Sequence, residues 1–145
     1  MGQHILVPVD GSPHSEKALE YVLEELPEPT ITLLHVINPV SVLAYSDKDG
    51  RFDVDAYQQI ERRKKQRAEK IFDEYREKAA VHGIEIETSI KTGKPAERIL
   101  ETAENGGFDH IVIGSRGRST VGQVLFGSVA RTVTNRAAIP VTVVR

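Results

Sequence analysis

Gly114-Ser-Arg-Gly117, separated by nine residues from Gly127-Ser128, is the part of this chain whose residue types could do chemistry. It follows the apolar run His110-Ile-Val-Ile113, which reads as a buried strand. Glycine lacks a Cβ, so the backbone at a strand's carboxyl end can approach a ligand closely there. Successive amides can also turn inward as a nest for an anion. Gly127-Ser128 opens a segment with helical spacing of apolar residues, and a helix start favours phosphate as well. With Arg116 and Arg118 beside them, the two amide clusters suggest a polyphosphate site. The same glycines would also suit a tight turn and a helix cap. The arginines, together with Asp10 at the end of the first strand, favour a ligand.

Other glycine motifs do not fit. Gly117-Arg-Ser-Thr-Val-Gly122 has the opening spacing of a P-loop, but Gln123 and Val124 stand where Lys and Ser or Thr are required. A dinucleotide fingerprint belongs after the first strand, whereas this loop follows the fourth. A nucleophile elbow needs Gly-x-Ser-x-Gly, which neither Ser115 nor Ser128 supplies. Asp10 is the best single candidate for a functional carboxylate; its bland role would be to cap amides of the turn with Gly11 and Ser12.

The elements that must position these residues alternate. Ile5 to Val9 reads as a buried strand, and Ser12-Pro13 as the cap and first position of a helix carrying Ala18, Leu19, Val22, Leu23 and Leu26. Ile31 to Ile37 is apolar on both faces, as a central parallel strand should be. Residues 38–54 read as a mobile loop. A long helix is expected over about 55–82, with Ala68, Ile71, Phe72, Tyr75 and Ala79 on one face and Gly83 as its C-cap. Ile84, Ile86, Thr88 and Ile90 alternate with polar residues, which suits a half-exposed edge strand. A short helix from Pro95, the strand 110–113, a helix over about 127–136 and a last strand Val141 to Val144 follow. This order implies an α/β fold with an open parallel sheet and helices on both faces. Ligands of such sheets sit at the carboxyl ends of the strands, where strand order reverses. If strands one and four are neighbours, Asp10 and Gly114 face one crevice.

Bulk properties narrow the function classes. A chain of 145 residues suggests one domain, 1–145. A net charge of −2 demands neither nucleic acid nor membrane as partner. The absence of cysteine excludes disulfides, thiolate metal sites and thiol catalysis, and agrees with a cytoplasmic setting. The basic run Glu61-Arg-Arg-Lys-Lys-Gln-Arg67 reads as a solvated helix flank rather than a nucleic-acid patch, with Glu61–Lys65 and Lys65–Glu69 four apart. His4, His14, His35, His82 and His110 show no metal-ligand spacing. Ser119 and Thr120 are open to a charge-adding modification beside the phosphate site.

The sequence resembles the universal stress proteins, in their ATP-binding branch. Gly114, Gly117, Gly127 and Ser128 match that family's Gly-x2-Gly-x9-Gly-Ser/Thr signature without a gap. Ile5-Leu-Val-Pro-Val-Asp-Gly-Ser12, Leu34-His-Val36 and Ile139-Pro-Val-Thr-Val-Val144 resemble its first, second and closing strands, so the likeness spans the whole chain. The resemblance implies a Rossmann-like five-stranded parallel sheet of order 3-2-1-4-5, of the adenine nucleotide alpha hydrolase type. It implies that Pro8, Val9 and Val36 line an adenine pocket, that Asp10 lies by the ribose, and that Ile113 belongs to the same site. Gly114, Arg116 and Gly117 would hold ribose and phosphates; Gly127, Ser128 and Val129 would hold phosphates through amides and the Ser128 hydroxyl. Arg116 stands at a position that varies in the family; it would grip phosphate or point to solvent. The implied ligands are ATP and a Mg²⁺ ion held mainly by phosphate oxygens. The implied assembly is a homodimer paired through the last strand, with a protein partner the sequence does not identify. The implied role is nucleotide-dependent regulation in stress. Any ATP hydrolysis would be weak, since no residue is evident to orient water; a nucleotide-free interaction module is the remaining alternative.

Overall fold

The computed structural model describes residues 2–39, 45–46, 49–116 and 127–145. Within them the chain runs β1 (His4–Pro8), α1 (Pro13–Glu25), β2 (Thr30–Ile37), α2 (Val54–Val81), β3 (Ile86–Thr92), α3 (Pro95–Asn105), β4 (His110–Gly114), α4 (Ser128–Arg136) and β5 (Val141–Val144). The strands form one sheet of order β3-β2-β1-β4-β5, and every adjacent pair is parallel. The open parallel sheet expected from the alternating elements, and the strand order implied by the family resemblance, are those observed. β1 pairs with β2 on one side and β4 on the other, so strand order reverses between β1 and β4.

The two-residue period of the strands divides the core between the two faces. Ile5, Val7, Ile31, Leu33 and Val112 face α1 and α2, where Leu19, Val22, Ile71, Phe72 and Tyr75 close over them. Leu6, Leu34, Ile111 and Ile113 face α3 and α4, meeting Ile99, Ala103, Ala130 and Val133. Because β1, β2 and β4 are covered on both sides, their buried residues on both faces are mainly apolar, with Thr32 the polar exception in β2. β3 lies at the sheet's edge and is only half-buried, as its alternating sequence implies.

Local signals set the ends of the elements. The Ser12 hydroxyl accepts the Ser15 amide at 3.2 Å, and Pro13 occupies the first turn of α1. Asp53 caps α2 by accepting the Ala56 amide at 3.0 Å, which starts that helix one residue earlier than its periodicity suggests. Gly83 follows the helix in the left-handed region (φ 72°). Its amide donates to Ala80 O and the Ile84 amide to Ala79 O, the paired bonds of a Schellman stop. Ile84 is thereby used in the stop, and β3 begins two residues later, at Ile86.

Of the loop expected over 38–54, residues 40–44 and 47–48 lie outside the described set. The described part contains an antiparallel bridge between Ser46 and Phe52. Tyr45 and Phe52 pack against Tyr57 of α2 with ring centroids at 5.9 and 5.4 Å.

Candidate functional site

A cleft of about 730 Å³ opens at the carboxyl ends of β1, β2 and β4, across the point of strand-order reversal. β1 brings Pro8, Val9 and Asp10 to its floor, β2 brings Val36, and β4 brings Ile113, Gly114 and Arg116. The start of α4 closes one wall with Gly127, Ser128 and Val129. The site residues expected from the sequence therefore converge on one cavity, apart from Gly117, which lies outside the described residues, as do Arg118, Ser119 and Thr120.

The chemistry of this wall follows from helix geometry. The first amides of a helix have no intrahelical acceptor. At α4 these belong to Ser128, Val129 and Ala130, and the preceding Gly127 offers no side-chain cap. They are donors at the positive end of the helix dipole, and all three residues line the cleft. The Gly127 amide has a different job: it donates to the Ser115 carbonyl at 2.6 Å, tying the two ends of the intervening loop. Gly127 thus shapes the wall, and the donors at this end are the amides that follow it.

Gly114 also has a packing reason to be glycine. A Cβ there would lie 2.7 Å from the backbone carbon and oxygen of His14, so α1 can approach β4 only because the position is bare. Asp10 fills the turn-capping role and is also placed where a ligand would meet it. It lines the cleft, and its Oδ1 accepts the Ser12 amide at 2.9 Å, which shapes the turn into α1.

Several cleft residues escape a reading based on motifs. His35 Nδ1 lies 2.8 Å from the Val9 carbonyl. A carbonyl only accepts, so Nδ1 carries a proton and donates in this contact. Ser15 lines the cleft and joins it to the core: its hydroxyl is 2.7 Å from the Tyr75 hydroxyl and receives the Asp10 amide at 3.3 Å. Burial pushes the Tyr75 phenol up to about 12. Lys64 and Arg67 of α2 reach the cleft too, although the basic run reads as a solvated flank. Glu61 lies 3.9 Å from Lys64 rather than pairing with Lys65. A signal for this was present: Lys64 and Arg67 continue the stripe of Ala68, Ile71 and Tyr75 at helical spacing.

Among the described residues no group of three or more His, Asp or Glu side chains is placed to hold a metal ion. Asp10 is the one carboxylate among the described residues that line the cleft. No described helix is long and apolar enough to cross a membrane.

A parallel α/β sheet with a cleft at its switch point, walled by a helix N-terminus, defines the structural class as an open, doubly wound α/β protein. The comparisons make the class particular. The universal stress protein family matches residues 1–145, and the chain belongs to it. The curated universal stress protein YxiE of Bacillus subtilis is 34% identical over 149 residues, which cover 100% of both chains. The solved structure of MJ0577, a universal stress protein of Methanocaldococcus jannaschii, superposes with TM-score 0.81 at 27% identity over 98% of this chain and 94% of its own. A family member from Arabidopsis thaliana, solved with AMP bound, superposes with TM-score 0.70 over 98% of this chain and 90% of its own. Its 22% identity makes this a likeness of fold.

Proposed function

We propose that this chain is an adenine-nucleotide-binding regulatory protein whose ligand is ATP, bound in the switch-point cleft. The observation that carries the reading is the conjunction of uncapped α4 amides, Arg116 and the apolar floor of Pro8, Val9, Val36 and Ile113 in one cavity. An apolar slot beside a cluster of anion donors suits a flat base joined to phosphates. The AMP held by the Arabidopsis protein supports the base and ribose part of this reading for the fold. The family signature at Gly114, Gly117, Gly127 and Ser128 supports the triphosphate part.

In this reading Pro8, Val9 and Val36 receive the adenine and Asp10 faces the ribose. Ile113, Gly114, Arg116 and Gly117 border ribose and phosphates. Ser128 and Val129 donate to phosphate oxygens from a turn set by Gly127. A Mg²⁺ ion would be carried chiefly by phosphate oxygens, since Asp10 alone among the described cleft residues offers a carboxylate. Binding rather than hydrolysis is the favoured activity, because Asp10, the one carboxylate among the described cleft residues, is read beside the ribose and not beside the γ-phosphate. Pairing of β5 with a second copy belongs to the same proposal, since β5 is an edge strand and half-buried along its length. So do a single domain over 1–145 and a cytoplasmic setting.

The test is calorimetry with ATP on nucleotide-stripped protein, with and without Mg²⁺, alongside sedimentation to read the oligomeric state. Saturable ATP binding supports the proposal. A folded protein that binds no ATP at millimolar concentration overturns it, because binding must also raise thermal stability by mass action.

A further inference from the structure

Arg67 lies in the middle of α2, far in sequence from the glycine signature. It lines the cleft, is exposed, and makes no ion pair or hydrogen bond among the described residues. Its helix gives it no carboxylate to pair with. The positions three and four residues away are Arg63, Lys64, Lys70 and Ile71, so its neighbours on the helix surface are cations or apolar. Like charges at this spacing repel, and a cation with no partner among the described residues is kept there at a cost to the free protein.

Lys64 is in a different situation. Its Nζ donates to the Asn38 carbonyl at 2.8 Å and stands 3.9 Å from Glu61 Oε1, an atom that is buried and has no hydrogen bond among the described residues. Much of the Lys64 charge therefore serves Glu61 and the end of β2. Among the described residues the Arg67 charge has no such use. Its place in the cleft is fixed one turn further along: Ile71 packs against Gly11, where a Cβ would meet Ile71 Cδ1 at 3.1 Å. Arg67, one turn before Ile71, thus lines the cleft from the wall that α2 makes, while Arg116 and the α4 amides line it from another.

We propose that Arg67 reads the charge of the bound nucleotide: together with Lys64 it forms a second cationic wall that a nucleoside triphosphate engages and a monophosphate does not. This inference rests on the nucleotide reading above and adds the residue that sets preference within it. One phosphate can be satisfied by a single cluster of donors. A chain of phosphates carries charge far enough to meet both walls, and a guanidinium fork suits its oxygens. Binding also relieves the repulsion along Arg63, Lys64, Arg67 and Lys70, which adds to the preference for the more highly charged ligand.

The experiment compares ATP and AMP affinities by calorimetry at 0.15 M salt for the wild type, Arg67→Gln and Arg63→Gln. Glutamine keeps helix propensity, and the site is exposed, so the fold is retained. The ratio of ATP to AMP affinity is expected to fall about tenfold in Arg67→Gln, the loss of one charge-assisted contact, and to hold in Arg63→Gln. An unchanged ratio in Arg67→Gln overturns the inference while leaving the nucleotide reading intact. An equal fall in Arg63→Gln assigns the effect to the overall charge of α2 and overturns it as well. Wild-type protein that binds neither nucleotide overturns the nucleotide reading and this inference with it.

Discussion

Replacing Ser128 with proline tests the anion wall without disturbing the fold. Ser128 is the first residue of α4, and proline is well tolerated there because that amide has no intrahelical acceptor to lose. Proline also requires an extended residue before it, and Gly127 already has φ −67° and ψ 161°. Without nucleotide, Ser128→Pro should therefore match the wild type or gain up to about 1 kcal/mol through a stiffer unfolded chain. What it removes is one amide donor and one hydroxyl of a residue that lines the cleft. A hydrogen bond to a charged group contributes about 1.5–3 kcal/mol, so losing the amide alone should weaken ATP binding roughly 10- to 100-fold. Ser128→Ala removes only the hydroxyl and apportions the loss. The assays are calorimetry with ATP and urea unfolding without it. ATP binding at wild-type strength by a stable Ser128→Pro protein would refute the argument that the start of α4 holds phosphate. A large loss of stability without nucleotide would refute the backbone geometry from which the substitution was chosen.

Other expectations follow from the same structure. The Tyr75 phenol is pushed up to about 12 by burial, against about 10 in the unfolded chain, so it supports the fold below pH 10 and loses that support as pH rises toward 12. Urea unfolding across that range should show a loss of up to ~3 kcal/mol in the wild type that is missing in Tyr75→Phe. At neutral pH Tyr75→Phe should cost only about 1 kcal/mol, because Ser15 Oγ keeps the Ser12 carbonyl and the Asp10 amide as partners. Burial lowers the His110 pKa, so the unfolded chain takes up its proton first as pH falls below about 6.5. Stability should decline below that pH, and His110→Gln should flatten the decline in acid-unfolding curves. Gly114→Ala drives a Cβ to 2.7 Å from the backbone of His14 and should cost about 1–3 kcal/mol by overpacking. A Gly114→Ala protein as stable as wild type in thermal unfolding would show that α1 does not approach β4 this closely.

The sequence by itself determined what depends on local pattern. Alternating strands and helices, apolar on both faces in the middle strands, imply a parallel sheet covered on two sides, and the boundaries follow from caps such as Ser12 and stops such as Gly83. The glycine signature marked the phosphate-binding candidates for the same reason: turn and helix-start chemistry is written in adjacent residues. Even here a local device shifted an edge, since the Schellman stop used Ile84 and β3 began later than its alternation suggested. Tertiary structure decided what depends on packing between distant elements. Pairing of β1 with β4 brought Asp10 and Gly114 to one crevice. The approach of α1 gave Gly114 a steric reason to be bare, which no motif records. The position of the 28-residue helix α2 against the sheet turned part of an apparently solvated basic run into a wall of the cleft. Periodicity tells which face of a helix is buried, but not which stretch of a long helix meets the core and which stands over the strand ends. That is set by the fit of side chains such as Ile71 and Phe72 against partners far away in sequence.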